Sequence, residues 1–140
     1  MAGPATIAKM VLLAHDRPIT LPEEFHASLQ PTEEGAHAVM ILAPSPKIIR
    51  IIPSKSAEVL KVVIEIGELS PGFLQELGVV LMHAKIKTLY STGLCFTQET
   101  CVYEGYIDAS DVHLPKEELE RNLAGIKGVA KVSMHLLKME

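Results

Sequence analysis

The chain has 140 residues, 48% of them hydrophobic and 21% charged, the balance of an ordered globular protein, which excludes a disordered one. A formal net charge of -4 excludes nucleic-acid binding by overall charge, because neutralising phosphates takes clustered Lys and Arg; only a local basic patch could do it. No stretch approaches the roughly 20 apolar residues of a spanning helix, and Met1–Met10 lacks the apolar run of a secretory signal, so a cytoplasmic location without a membrane partner is expected.

The length allows one domain or two small ones. Ala8–Ala14 reads as a strand, followed by a short extended piece, Ile19-Thr20-Leu21. Pro22 then starts a helix of one to two turns reaching about Leu29. Proline suits the first helical position, and Glu23 and Glu24 suit the positive end of the helix dipole. His37–Ala43 and Lys47–Ile52 flank Pro44-Ser45-Pro46 and predict a hairpin. About 55 residues of short strands leave apolar faces that need a second copy to cover them. Pro53-Ser54-Lys55-Ser56 has linker composition, so the domain boundary is placed there, dividing the chain into residues 1–54 and 55–140. Met1–Lys55 is balanced in charge, and the -4 resides in Ser56–Glu140.

The second part reads strand, helix, strand, strand, helix, strand. In Glu58–Ile66, Leu60, Val62, Ile64 and Ile66 share one face, and Lys61 and Glu65 the other. Phe73, Leu77, Leu81 and Ala84 form the stripe of a helix, reinforced by Leu74 and Val80. Thr88–Phe96 and Cys101–Ile107 are strands around the polar turn Thr97-Gln98-Glu99-Thr100. Pro115 starts a second helix running to about Gly125, with Leu119, Leu123 and Ile126 on its buried side. Gly128 stops it, and Val129–Leu137 is the last strand. Both helices can pack on one face of a four-stranded antiparallel sheet, so the fold class is α+β, with a ferredoxin-like βαββαβ sandwich after a small, mainly-β N-terminal domain.

Chemistry is concentrated in Glu68-Leu69-Ser70-Pro71-Gly72-Phe73-Leu74. With Pro71 in the first helical turn and Gly72 allowing close approach, the amides of Phe73, Leu74 and their neighbours face outward at a positive helix end, where a carboxylate is welcome. The same residues also make an ordinary strand-to-helix turn. These residues and the βαββαβ order resemble an ACT domain, an amino-acid-sensing regulatory module, over about Ser56–Glu140. Glu68, Pro71, Gly72 and Phe73 match the family pattern, which usually has Asp or Asn where Glu68 stands. The resemblance implies a small amino acid bound by Glu68–Leu74 against a neighbouring protomer, hence a homodimer or higher homo-oligomer.

Asp16-Arg17-Pro18-Ile19-Thr20-Leu21-Pro22-Glu23-Glu24-Phe25, with Leu29 and Glu34-Gly35, resembles the AbrB-type swapped-hairpin domain. Arg17 and Pro18 depart from that family's Gly-Arg, which removes one cation. The resemblance implies an intertwined dimer that binds DNA through basic residues, the candidates being Lys9, Arg17, Lys47 and Arg50. Together the two resemblances imply an amino-acid-responsive regulator of transcription or, alternatively, a non-catalytic subunit that docks on a metabolic enzyme.

Other constellations carry less. His15, His26 and His37 recur every eleven residues, but no pair has the spacing that puts two imidazoles on one helix face, so neither a metal nor another cofactor is expected. His83 suits the end of a helix. Cys95 and Cys101 are equidistant from Gln98 and could face each other as a redox pair; the expectation is buried, reduced thiols. Ser91, Thr92 and Ser110 lack a nucleophile elbow, no phosphate-binding loop is present, and Glu117-Glu118-Glu120 is a solvated helix face, so no enzyme is expected.

Overall fold

Alternation along one short segment decides the centre of the fold. Leu60, Val62, Ile64 and Ile66 project to one side and are buried, while Lys61 and Val63 on the other are only half-buried and Glu65 is exposed. A computed structural model describes residues 4–31, 35–97 and 99–139. Its elements are α1 (Glu23–Ser28), β1 (His37–Ala43), β2 (Ile48–Ser54), β3 (Val59–Ile66), α2 (Phe73–His83), β4 (Tyr90–Cys95), β5 (Cys101–Asp108), a 3-10 turn (Ala109–Asp111), α3 (Lys116–Ala124) and β6 (Val129–Leu137). β1 and β2 form a two-stranded antiparallel sheet, and the other four strands an antiparallel sheet in the order β4-β5-β3-β6.

The helices α2 and α3 cover the face to which Leu60, Val62, Ile64 and Ile66 point. Phe73 and Leu77 from α2, Leu119 and Leu123 from α3, and Ile126 just beyond it join Tyr103, Ile107 and Val132 in the main core. Burying a Leu, Ile or Phe side chain contributes about 1.5–3 kcal/mol each, so this cluster is the principal source of stability. Register places Val59, Lys61, Tyr106, Glu104 and Tyr90 on the opposite face. The β1–β2 hairpin rests on part of it through a smaller cluster of Val39, Val59 and Tyr106, flanked by Ile41, Ile52, Leu89 and Tyr90.

Several expectations need correction. The strand expected at Ala8–Ala14 is absent: residues 4–22 contain no strand or helix, and Met10 is 97% exposed. A strand exists only where another strand takes its backbone hydrogen bonds, and here no described segment does so. Pro22 and Pro115 sit one residue before their helices, as N-caps. Pro71 is not in the first helical turn either, since α2 begins at Phe73; it occupies a turn closed by the Phe73 amide donating to the Ser70 carbonyl at 3.1 Å. Leu74 is 69% exposed and does not reinforce the core stripe. β4 begins at Tyr90 rather than Thr88.

Cys95 and Cys101 are joined in a disulfide, not left as reduced thiols, and only Cys101 is buried, Cys95 being exposed. They are directly opposite in the β4–β5 register, one step from the Phe96 amide that donates to Thr100, and this is where antiparallel strands bring facing residues closest. Glu34 of the expected Glu-Gly turn and Gln98 of the β4–β5 turn lie outside the described residues. Among the described residues no helix is long and apolar enough to cross a membrane.

Candidate functional site

The β3–α2 loop is shaped by the α3–β6 turn, which lies beside it because Val129 at the start of β6 pairs with Ile66 at the end of β3. The amides of Gly67 and Glu68 both donate to the Gly128 carbonyl, at 2.9 and 3.4 Å. Gly128 has a φ of +92°, and a Cβ placed there would stand 2.2 Å from the Glu68 carbonyl oxygen, so only glycine lets the α3–β6 turn press against the loop. The Lys127 amide donates to Glu76 Oε2 at 3.4 Å and ties the same turn to α2. Gly128 was expected to stop the helix, but α3 ends at Ala124 with Gly125 as its C-cap; the contact of Gly128 with Glu68 was missed because the two residues meet only in the folded sheet.

Within the loop, Glu68, Leu69, Pro71 and Leu74 are exposed, Ser70 and Gly72 half-buried and Phe73 buried. Phe73 therefore serves the core: its ring meets Tyr103 edge-on with centroids 6.4 Å apart. Burial pushes the Tyr103 hydroxyl up, and its hydrogen bond to Ser91 offsets part of that. The Phe73 amide is taken by Ser70, and that of Glu76 by Gly72. Among the described residues no backbone carbonyl outside the helix accepts from Leu74 or Gln75, and those amides mark the open end of α2. Gly72 has ordinary right-handed geometry, and a Cβ there would meet only Glu76 Oε1 at 4.0 Å. The backbone fold does not require glycine at this position.

A second arrangement, not anticipated from the sequence, secures the passage from β2 to β3. Asp108, 1% exposed at the end of β5, accepts hydrogen bonds from the amides of Lys55, Ser56 and Ser110 and from the hydroxyls of Ser56 and Ser110, the last two at 2.8 Å. Burial pushes its carboxyl up, but the Ser56 and Ser110 hydroxyls and the Ser110 and Lys55 amides outweigh it and hold the pKa at about 2. Lys55 Nζ lies 3.9 Å from Asp111. Gly35 closes against the same passage, since a Cβ on it would meet the Lys55 carbonyl oxygen at 2.9 Å. The segment read as a linker is thus pinned to the four-stranded sheet. Ser110 is a local partner, but Lys55 and Ser56 are more than fifty residues away, so nothing in the sequence marks Asp108 as the residue that grips this passage.

The four basic candidates have different surroundings. Lys9 Nζ pairs with Glu24 at 3.1 Å. Arg50 lies over the Tyr90 ring at 4.9 Å and so faces the larger sheet. Lys47, with a φ of +61°, is in the β1–β2 turn, and Arg17 is exposed in the segment before α1. His83 lies in the last turn of α2. Among the described residues no group of three or more His, Cys, Asp or Glu could hold a metal ion. No protein-family model matches this chain, and no curated protein matches it.

Proposed function

We propose that this chain is an amino-acid-responsive regulatory protein, its residues 55–140 a ferredoxin-like, ACT-like sensor and its residues 1–54 a swapped-hairpin module through which two chains pair. The observation that carries the reading is the β3–α2 loop: an exposed turn with open amides at the start of α2, its shape held by Gly128. The ligand's carboxylate accepts from the amides of Leu74 and Gln75, where the helix dipole adds to the attraction. Its amine is met by the Glu68 carboxylate or by a carbonyl of the neighbouring protomer, which supplies the second wall that this exposed loop lacks. Binding favours one relative orientation of two sensors, because the ligand touches both. The Asp108 hydrogen bonds then carry that orientation into β2 and the hairpin.

Pairing through residues 1–54 is supported by the exposed run Met10, Val11, Leu12 and Leu13, apolar chain with no partner strand among the described residues. The output proposed first is transcription control, with Arg17 and Lys47 as the principal phosphate contacts and Lys9 and Arg50 beside them. The second reading, a regulatory subunit docking on a metabolic enzyme, is favoured by Lys9 being paired to Glu24 and Arg50 lying on Tyr90. A mobility shift against DNA over a range of salt concentrations separates the two: salt-sensitive binding supports the first, and its absence leaves the second.

Thermal unfolding against the twenty amino acids tests the sensor itself. A ligand at a hundred times its dissociation constant adds about 2.7 kcal/mol. Stabilisation by one amino acid, lost in Gly72→Ala, is the expected result. Absence of any shift overturns the sensor reading.

A further inference from the structure

The hairpin leaves part of the sheet's outer face uncovered. Between the hairpin tip and strands β4 and β5 lies a cavity of about 500 Å³. That volume is typical of small-molecule sites, which run to about 300–1,000 Å³ and favour junctions between structural units. Its walls are mainly apolar, with Ile41 and Pro44 on the hairpin side and Leu94 and Phe96 on the sheet side. Leu94 and Phe96 are 59% and 67% exposed, so a hydrocarbon body seated there would remove apolar surface from water.

Three charged side chains share the cavity: Arg50, Lys61 and Glu104. Lys61 and Glu104 neutralise each other at 3.7 Å. Arg50 has the face of Tyr90, and among the described residues no carboxylate comes within ion-pair distance of it. The cavity therefore carries one uncompensated positive charge against apolar walls. We propose that it binds a small apolar carboxylic acid, with the carboxylate on the Arg50 guanidinium and the hydrocarbon against Ile41, Leu94 and Phe96. The planar guanidinium holds a carboxylate through two parallel hydrogen bonds, and its contact with Tyr90 reduces the side-chain freedom that binding must remove. Arg50 and Ile41 belong to the hairpin, Leu94 to β4 and Phe96 to the turn just after it, so the acid ties one sheet to the other. None of these residues belongs to the β3–α2 loop, so this site stands or falls separately from the amino-acid site.

The test is calorimetric titration of the full chain with decanoate, decanol and decylamine, which share a hydrocarbon body and differ in the head group. Decanoate binds at least tenfold more tightly than the alcohol or the amine. Arg50→Gln removes at least tenfold of the decanoate affinity, Arg50→Lys restores part of it, and Phe96→Ser weakens all binding, while Gly72→Ala leaves decanoate affinity unchanged. Absence of decanoate binding, equal binding of decanoate and decanol, or full affinity in a folded Arg50→Gln variant overturns the proposal. So does a wild-type chain that ignores decanoate but whose assembly falls apart on Phe96→Ser, since a second copy then fills the cavity.

Discussion

The four-stranded sheet with its two helices and the segment before it obey the same chemistry with opposite outcomes. In the former, each apolar face meets another: β3 gives Leu60, Val62, Ile64 and Ile66, and α2 and α3 answer with Phe73, Leu77, Leu119 and Leu123. In the latter, Ile7, Met10, Leu12, Leu13, Ile19 and Leu21 remain in water, and Val39 is the only apolar residue of the hairpin that is buried. Apolar content is not the difference. A βαββαβ chain supplies its own hydrogen-bonding neighbours and its own cover, whereas a single hairpin and an extended arm do not.

The sharpest way to test that inequality is to remove one buried side chain from each region. Phe73→Ala should cost about 3–5 kcal/mol and lower the urea midpoint for the whole four-stranded sheet. Val39→Ala should instead speed amide exchange in β1 and β2 and leave protection in β3 and β5 intact. Equal, global losses from both would show that the regions fold as one unit.

The joint between the regions responds to pH with a definite sign. The Asp108 carboxyl is held at about 2, below its ordinary 3.8, so its contribution is fully present above pH 4 and disappears as pH falls through about 2. The shift corresponds to about 2 kcal/mol, and Asp108→Asn should flatten that part of the stability-against-pH curve. If the acid limb is unchanged in the variant, the hydrogen bonds to Lys55, Ser56 and Ser110 do not hold the joint.

The Cys95–Cys101 bond closes a short loop within the four-stranded sheet alone, with six residues of sequence separation. Loop-closure entropy assigns about 2 kcal/mol to such a loop. Reduction should lower the unfolding temperature of the sheet without altering exchange in β1 and β2. The smallest effect is expected at Gly72: with open space for a methyl group, Gly72→Ala should shift stability by less than about 1 kcal/mol, in the stabilising direction, by restricting the unfolded chain. A large loss would mean that the β3–α2 turn needs glycine for its own fold, and the variant would no longer isolate ligand binding.

Much of the architecture was legible along the chain. β1 and β6 occupy the stretches their patterns mark out, His37–Ala43 and Val129–Leu137, and α3 buries Leu119 and Leu123 as its spacing indicates. The loop from Glu68 to Leu74 could also be located, since a Pro-Gly pair between a strand and an apolar stripe is a local signal. Its anchoring could not: Gly128 and Lys127 come from the turn before β6, some sixty residues along the chain, and meet the loop only because β6 pairs with β3. Arg50 looked like one more surface cation until β4 placed Tyr90 beneath it.

Sequence by itself determined the helices, the strands with internal partners, and the α+β class, because period and capping depend on neighbours only a few residues apart. Tertiary structure alone decided that Ala8–Ala14 pairs with nothing described, that Cys95 and Cys101 join, that Asp108 grips the β2–β3 passage, and that a cavity opens beside Arg50. Each of these depends on groups far apart in sequence meeting at hydrogen-bonding or van der Waals distance, and local periodicity carries no information about such meetings.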